Sequence, residues 1–201
     1  VEREIESCLV SDIHAAVLDQ LKQEFSHFEG LELRLTDRGD NSVLSESCDV
    51  LAPCAGGAIL NSRTIPTLNC KIVCGGANNQ LEDGLRDDEA LHQRGILYVP
   101  DFLVNRMGIV YCANEQYGSI QDDPYIRQHL ERDWEHSIFQ TTQRVLQRSQ
   151  NEGLAPGRVA IEAADQMAMR PHPIFGHRGR QIIDCLEGNG WAAVGPVSNL
   201  T

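Results

Sequence analysis

Short apolar runs alternate along the first half of the chain with stretches whose apolar residues return every three or four positions. Residues 8–11 are a β-prone run, and Ala15, Val17, Leu18, Leu21 and Phe25 then mark one face of a helix over 15–25. Residues 31–35 alternate leucine with charge, which predicts a strand with one wet face or an edge strand. Apolar runs at 49–53, 71–74 and 96–99 predict three more strands, with a helical stretch over 87–94 before the last of them. Strand and helix in alternation predict an α/β domain on a mostly parallel sheet.

Beyond Gly108 the period changes. Residues 109–117, 124–150 and 159–169 read as helices, the second long and heavily charged, with Gly153 and Pro156 breaking it from the third. Residues 171–180 read as a loop, and a short helix over 181–186 follows. Trp134, Ile138 and Val145 recur at near-helical spacing, so core or subunit packing accounts for them.

Composition narrows the class. A chain of 201 residues, 41 % of them hydrophobic, suits one domain with an appendage and buries a sizeable core. A formal net charge of −12 argues against nucleic acid or an anionic membrane as partner. No apolar stretch approaches the ~20 residues that span a bilayer. The seven cysteines form no C-x-x-C pair, and most sit in apolar runs. They read as reduced, core-packed small hydrophobes of a cytoplasmic compartment, with no metal site implied.

The candidate chemistry gathers where predicted strands end. Ala52-Pro53-Cys54-Ala55-Gly56-Gly57, Cys74-Gly75-Gly76-Ala77-Asn78-Asn79-Gln80 and Val99-Pro100-Asp101-Phe102-Leu103-Val104-Asn105 are rich in small and amide residues. Ligands of an open parallel sheet bind just outside the carboxyl ends of its strands. Small residues there admit a flat ring, and amides both donate and accept. Asp12 ends the first run, where an acid suits the ribose of a dinucleotide. The glycine-rich turn that grips the pyrophosphate stands about 20 residues earlier in such folds. A helix N-cap is the other reading of Asp12.

Three segments, "CDVLAPCAGGAILNSRTIPTL", "KIVCGGANNQL" and "GILYVPDFLVN", resemble the cofactor domain of the glutamate/leucine/phenylalanine/valine dehydrogenases, the leucine-specific members most of all. The likeness runs over about residues 7–117, and more loosely through "AADQMA". It implies a Rossmann-like, doubly wound, mostly parallel sheet over residues 1–118, with residues 119–201 a helical C-terminal extension packing on it. It also implies NAD as cofactor and a role in the oxidative deamination of an aliphatic L-amino acid. By the same resemblance Asp12 would take the ribose hydroxyls and Ile13 would sit beside the adenine. Cys54 and Ala55 would offer backbone contacts to the adenosine side, and Asn78 a contact to the nicotinamide ribose. Asn105 would orient the nicotinamide carboxamide, while Ile109 and Cys112 would shape the pocket for the substrate side chain. The full-length enzyme would be a homo-oligomer.

The match departs after Asn105, where Arg106-Met107 replaces the small residues of the family pattern and puts the substrate in doubt. The base and lysine that deamination needs belong, in this family, to a preceding domain, and the only lysines here are Lys22 and Lys71. The expectation is therefore an incomplete domain, truncated before its central first strand and marginally stable alone, with no catalytic residue of its own. A non-catalytic nucleotide-binding or oligomerisation remnant is the alternative. In the tail, His172 and His177 lack a third ligand for a metal, and the Arg178/Arg180 pair suits an interface or substrate entry.

Overall fold

A computed structural model describes residues 5–115, 118, 122–171 and 178–190. The element order is β1 (Cys8–Asp12), α1 (Ala15–Glu24), β2 (Leu31–Leu35), β3 (Ser47–Leu51), β4 (Asn69–Val73), α2 (Arg86–Gln93) and β5 (Leu97–Tyr98). Then come α3 (Asp101–Val104), α4 (Met107–Glu115), α5 (Pro124–Gln128), α6 (Ile138–Glu152), α7 (Pro156–Ala168) and α8 (Arg178–Gly188). Single 3-10 turns at Ser42–Ser45 and Ile65–Thr67 lead into β3 and β4. The chain forms two compact units, Val1–Gly108 and Ile109–Thr201.

In the first unit every strand pair is parallel, as the alternating pattern predicts. The strands form two sheets, β1-β2 and β3-β4-β5. In the doubly wound order 3-2-1-4-5-6, strand 1 lies between strands 2 and 4. The two sheets fit positions 3-2 and 4-5-6 of that order, and a strand for position 1 is not among the described residues. The β1-β2 register runs from Cys8 opposite Leu31 to Asp12 opposite Leu35. Arg34 of β2 holds Glu46, just before β3, at 2.5 Å.

The core lies under the larger sheet. Leu44, Leu60, Ile65, Leu68, Val73, Leu91, Ile96 and Tyr98 pack together there. Leu60 and Leu91 are wholly buried, so the loop after β3 and the helix α2 are both pinned by side chains that leave water. Arg94 closes α2 by donating to the carbonyls of Ile65 and Leu68. In the second unit α6 and α7 pack together, with Val145 and Val159 buried and Arg148 bonded to Glu162 at 2.7 Å.

Three expectations need correction. The strand expected over 49–53 is Ser47–Leu51, because Pro53 has left the ladder to serve the loop. The long helix expected over 124–150 is two helices separated by residues 129–137. Ser137 caps α6 by accepting from the Gln140 N–H at 3.1 Å, and Gln140 Nε2 donates back to the Arg132 carbonyl at 2.7 Å. His129 and Trp134 stack edge-on at 4.7 Å in the intervening segment. Finally, the cysteines are free but few belong with the core: Cys54, Cys112 and Cys185 are exposed, and the other four are only partly buried, Cys70 among them packing against the core. His172 and His177 lie outside the described residues.

The start of α2 is fixed by charge. Asp83 Oδ1 accepts from the N–H groups of Leu85 and Arg86 at 3.1 and 2.9 Å, and Asp87 Oδ2 accepts from the Asp83 N–H at 2.8 Å. These donors, with the Arg86 charge, hold the Asp83 carboxyl below its ordinary pKa. A depressed folded pKa stabilises above the ordinary aspartate value and loses that effect as pH falls through the folded value. Asp83→Ala should therefore lower the thermal midpoint at pH 7. The gap to the unmodified chain should close as the medium is acidified below the ordinary aspartate range, measured by circular dichroism melts across pH.

Candidate functional site

The polar loops that follow β3, β4 and β5 meet. Gly75, after β4, lies so close to Pro53, after β3, that a Cβ on it would stand 2.2 Å from the Pro53 carbonyl oxygen. Only glycine lets two backbones approach in this way. Cys74 N and Ala77 N donate to Leu51 O and Pro53 O at 2.9 and 3.0 Å, which locks the two loops together. A Cβ on Gly57 would lie 3.1 Å from the Asn78 carbonyl oxygen. The neighbouring Ala58 and Asn79 both hold left-handed backbone, with φ of 56° and 53°. The Ala58 N–H donates to the Asn79 carbonyl at 2.7 Å, and a parallel bridge of Leu60 with Leu81 continues the pairing. Left-handed geometry is tolerable for asparagine and costs alanine about 1 kcal/mol.

The third loop joins through amides. Asn105 Nδ2 donates to Asn78 Oδ1 at 2.5 Å and lies 3.4 Å from the Ala77 carbonyl. Asn78 is exposed and Asn105 half-buried, so the pair is within reach of solvent. Beneath it sit two buried side chains to which the sequence assigned no role, Gln80 and Asp101. Gln80 Nε2 donates to the carbonyls of Gly75 and Ala77 at 2.7 and 3.0 Å. Asp101 Oδ2 accepts from the Gln80 N–H at 3.2 Å, and its Oδ1 from the Phe102 N–H at 2.9 Å. The Tyr98 hydroxyl lies 3.4 Å from Asp101 Oδ1, and burial followed by the Asp101 charge pushes its pKa well up, keeping the phenol neutral. The signal for both residues was present in the sequence as a lone amide and a lone acid at the junctions of apolar runs.

The other expected residues fall in different places. Asp12 ends β1 at the carboxyl edge of the two-stranded sheet, and its Oδ1 accepts from the His14 N–H at 2.8 Å. The N-cap of α1 is His14, so Asp12 shapes the turn before the helix and does not cap it. Ile13 follows, 40 % exposed. Cys54 and Ala55 are exposed on the loop after β3. Ile109 and Cys112 lie three residues apart on α4 and are both exposed, Ile109 at 77 %. At the departure after Asn105, Arg106 and Met107 are half-buried, and burial draws the Arg106 guanidinium below its ordinary pKa. Among the described residues no group of three or more His, Cys, Asp or Glu could hold a metal, and no helix is long and apolar enough to cross a membrane.

Parallel strands interleaved with helices, with polar loops gathered at their carboxyl ends, define a Rossmann-like α/β protein. Comparison with known proteins gives the particular family. The profile of the glutamate/leucine/phenylalanine/valine dehydrogenases matches residues 9–170, and the chain belongs to that family of amino-acid dehydrogenases. It is 43 % identical to phenylalanine dehydrogenase of Lysinibacillus sphaericus over 109 residues, which cover 54 % of this chain and 28 % of that one. It is 33 % identical to leucine dehydrogenase of Bacillus subtilis over 179 residues, covering 87 % and 44 %. The crystal structure of L-tryptophan dehydrogenase from Nostoc punctiforme superposes with a TM-score of 0.67 at 30 % identity, over 80 % of this chain and 44 % of that one. The chain thus spans less than half the length of these relatives.

The backbone contact at Gly75 gives a direct test. Gly75→Ala forces the β3 and β4 loops apart and should cost roughly 1–3 kcal/mol, as overpacking of a closed site does. Urea unfolding of the variant beside the unmodified chain measures it, and an unchanged midpoint would contradict the packing described.

Proposed function

We infer that this chain is the cofactor-binding part of an NAD-dependent dehydrogenase of an aliphatic L-amino acid. The observation that carries the reading is the meeting of Asn78 and Asn105 just beyond the carboxyl ends of the adjacent strands β4 and β5. Asn105 donates and Asn78 accepts within the pair. That leaves the Asn78 amide hydrogens and Asn105 Oδ1 for a ligand. A primary carboxamide or a ribose hydroxyl needs one donor and one acceptor, and the pair supplies both. The glycines beside it keep the approach clear of side chains.

Asp12 serves the other end. With Oδ1 committed to the His14 N–H, its second oxygen is available to ribose hydroxyls, and its charge repels a 2′-phosphate. When bound, the nicotinamide ring supplies the hydride acceptor. The chain's own residues bind and orient it and do not move the substrate's protons. Lys22 lies on α1, and Lys71, on β4, is bonded to Asp49 at 2.6 Å. Ile109 and Cys112 offer an apolar surface to the substrate side chain. The whole enzyme is read as a cytoplasmic homo-oligomer, in keeping with the acidic composition and the resemblance.

Two substitutions test the two ends, each read from NADH titrations of the 15N-labelled chain by NMR. Asn105→Ala should weaken NADH by about tenfold, the worth of one or two lost hydrogen bonds. Asp12→Ser should leave NADH bound more weakly and erase the preference over NADPH. Resonances of Asp12, Ile13, Cys54, Ala55, Asn78 and Asn105 should shift on NADH addition. Shifts that bypass these loops, or equal binding of NADPH by the unmodified chain, would sink the assignment.

A further inference from the structure

The buried pair beneath the asparagines has no part in the cofactor contacts assigned above. Gln80 has no exposed surface and Asp101 only 8 %. Asp101 spends both carboxylate oxygens on backbone N–H groups, one from the loop after β4 and one from its own neighbour Phe102 in the first turn of α3. Gln80 spends both hydrogens of its amide on Gly75 O and Ala77 O, the two carbonyls that bracket the turn leading to Asn78. Its own Oε1 is buried, with no partner among the described residues. What this glutamine delivers is its two donors, aimed at one turn.

The same two residues control the other asparagine. The Asn105 N–H donates to the Asp101 carbonyl at 2.8 Å, so Asp101 sets where the Asn105 side chain begins. The path from Asn78 to Asn105 therefore runs through Gly75 and Ala77, Gln80, the Asp101 carboxylate and the Asp101 carbonyl.

Resting on the cofactor reading above, we propose that Asp101 and Gln80 are positioning residues. They form a buried strut that sets the separation and orientation of the Asn78 and Asn105 carboxamides, and so governs the grip on the nicotinamide end of the cofactor but not on its adenosine end. Asp101→Asn tests this with little change of shape. Both oxygens accept from N–H groups, so an amide NH2 in place of either one faces a donor, and whichever way the amide turns the bond from the Gln80 N–H is lost or stripped of the carboxylate charge.

The experiment titrates the full chain and its variants with NADH and, separately, with ADP, which lacks both the nicotinamide and its ribose. Asp101→Asn should weaken NADH by about tenfold, the worth of a charge-assisted hydrogen bond, while ADP affinity stays unchanged. Equal losses for both ligands would mean a general structural role and overturn the proposal. So would intact NADH binding in Asp101→Asn where Asn105→Ala loses it. If Asn105→Ala itself binds NADH normally, the asparagine reading fails first and the strut's function falls with it. A second test needs no variant. The Gln80 side-chain amide hydrogens of the unmodified chain should exchange with deuterium far more slowly than those of the exposed Gln143. Equally fast exchange would overturn the strut even if Asp101→Asn failed to fold.

Discussion

The approach of the Gly75 backbone to the Pro53 backbone is the constraint on which the site depends. Neither residue carries the chemistry. Their contact brings the loop after β3 within hydrogen-bonding range of the loop after β4, and the Ala77 N–H then closes on the Pro53 carbonyl. Gln80 and Asp101 extend the same network to the loop after β5. Low local dielectric strengthens each of these bonds and makes any unpaired member costly, so the three loops hold one arrangement. The left-handed Ala58 and Asn79 are the local cost, and the Ala58 to Asn79 bond and the buried Leu60 keep them in place.

Much of this was legible in the sequence, for physical reasons that differ by element. The strand Leu31–Leu35 is plain because its alternation has period two, and α1 because its apolar residues follow a single face. The three polar loops stand out since small and amide residues interrupt apolar runs. What the pattern does not carry is tertiary competition. Residues 129–137 contain no glycine or proline, and Trp134 and Ile138 keep helical spacing, so the only local mark of a break is Ser137 with Gln140 three residues on. The break comes from the Ser137 cap and the stacked rings of Tyr125, His129 and Trp134. The cysteines were misplaced for a related reason. A thiol in an apolar run is buried only if something covers it, and Cys8 and Cys48 lie on strands that lack a partner on one edge among the described residues. Gln80 and Asp101 were visible as residues, but their partners lie across loops, so their work could not be read from spacing.

The two sheets differ in how firmly they can hold their share of the site. The larger one stands on a closed core of eight buried side chains from Leu44 to Tyr98. In the smaller, every residue of β1 is only half-buried, and Leu18 of α1 is its one buried hydrophobic residue among those described. A strand inside a parallel sheet is ordinarily covered on both faces and paired on both edges. β1 and β3 each lack a partner on one edge among the described residues, and Val50 of β3 is 51 % exposed.

The asparagine pair therefore belongs to a part of the molecule already packed into position. Asp12 belongs to a part secured chiefly by the β1-β2 ladder, by α1 and by the partly exposed Arg34–Glu46 pair. Regions with few buried contacts open at low free-energy cost. A ligand that bridges the two must order the weaker side as it binds, and that ordering subtracts from its affinity. A further parallel strand between β1 and β3 would remove most of that cost at once, because it would pair both free edges and fix the distance from the acid to the amides. On the proposed reading, the affinity of a ligand held at both ends depends as much on the continuity of the sheet as on the residues that would touch it.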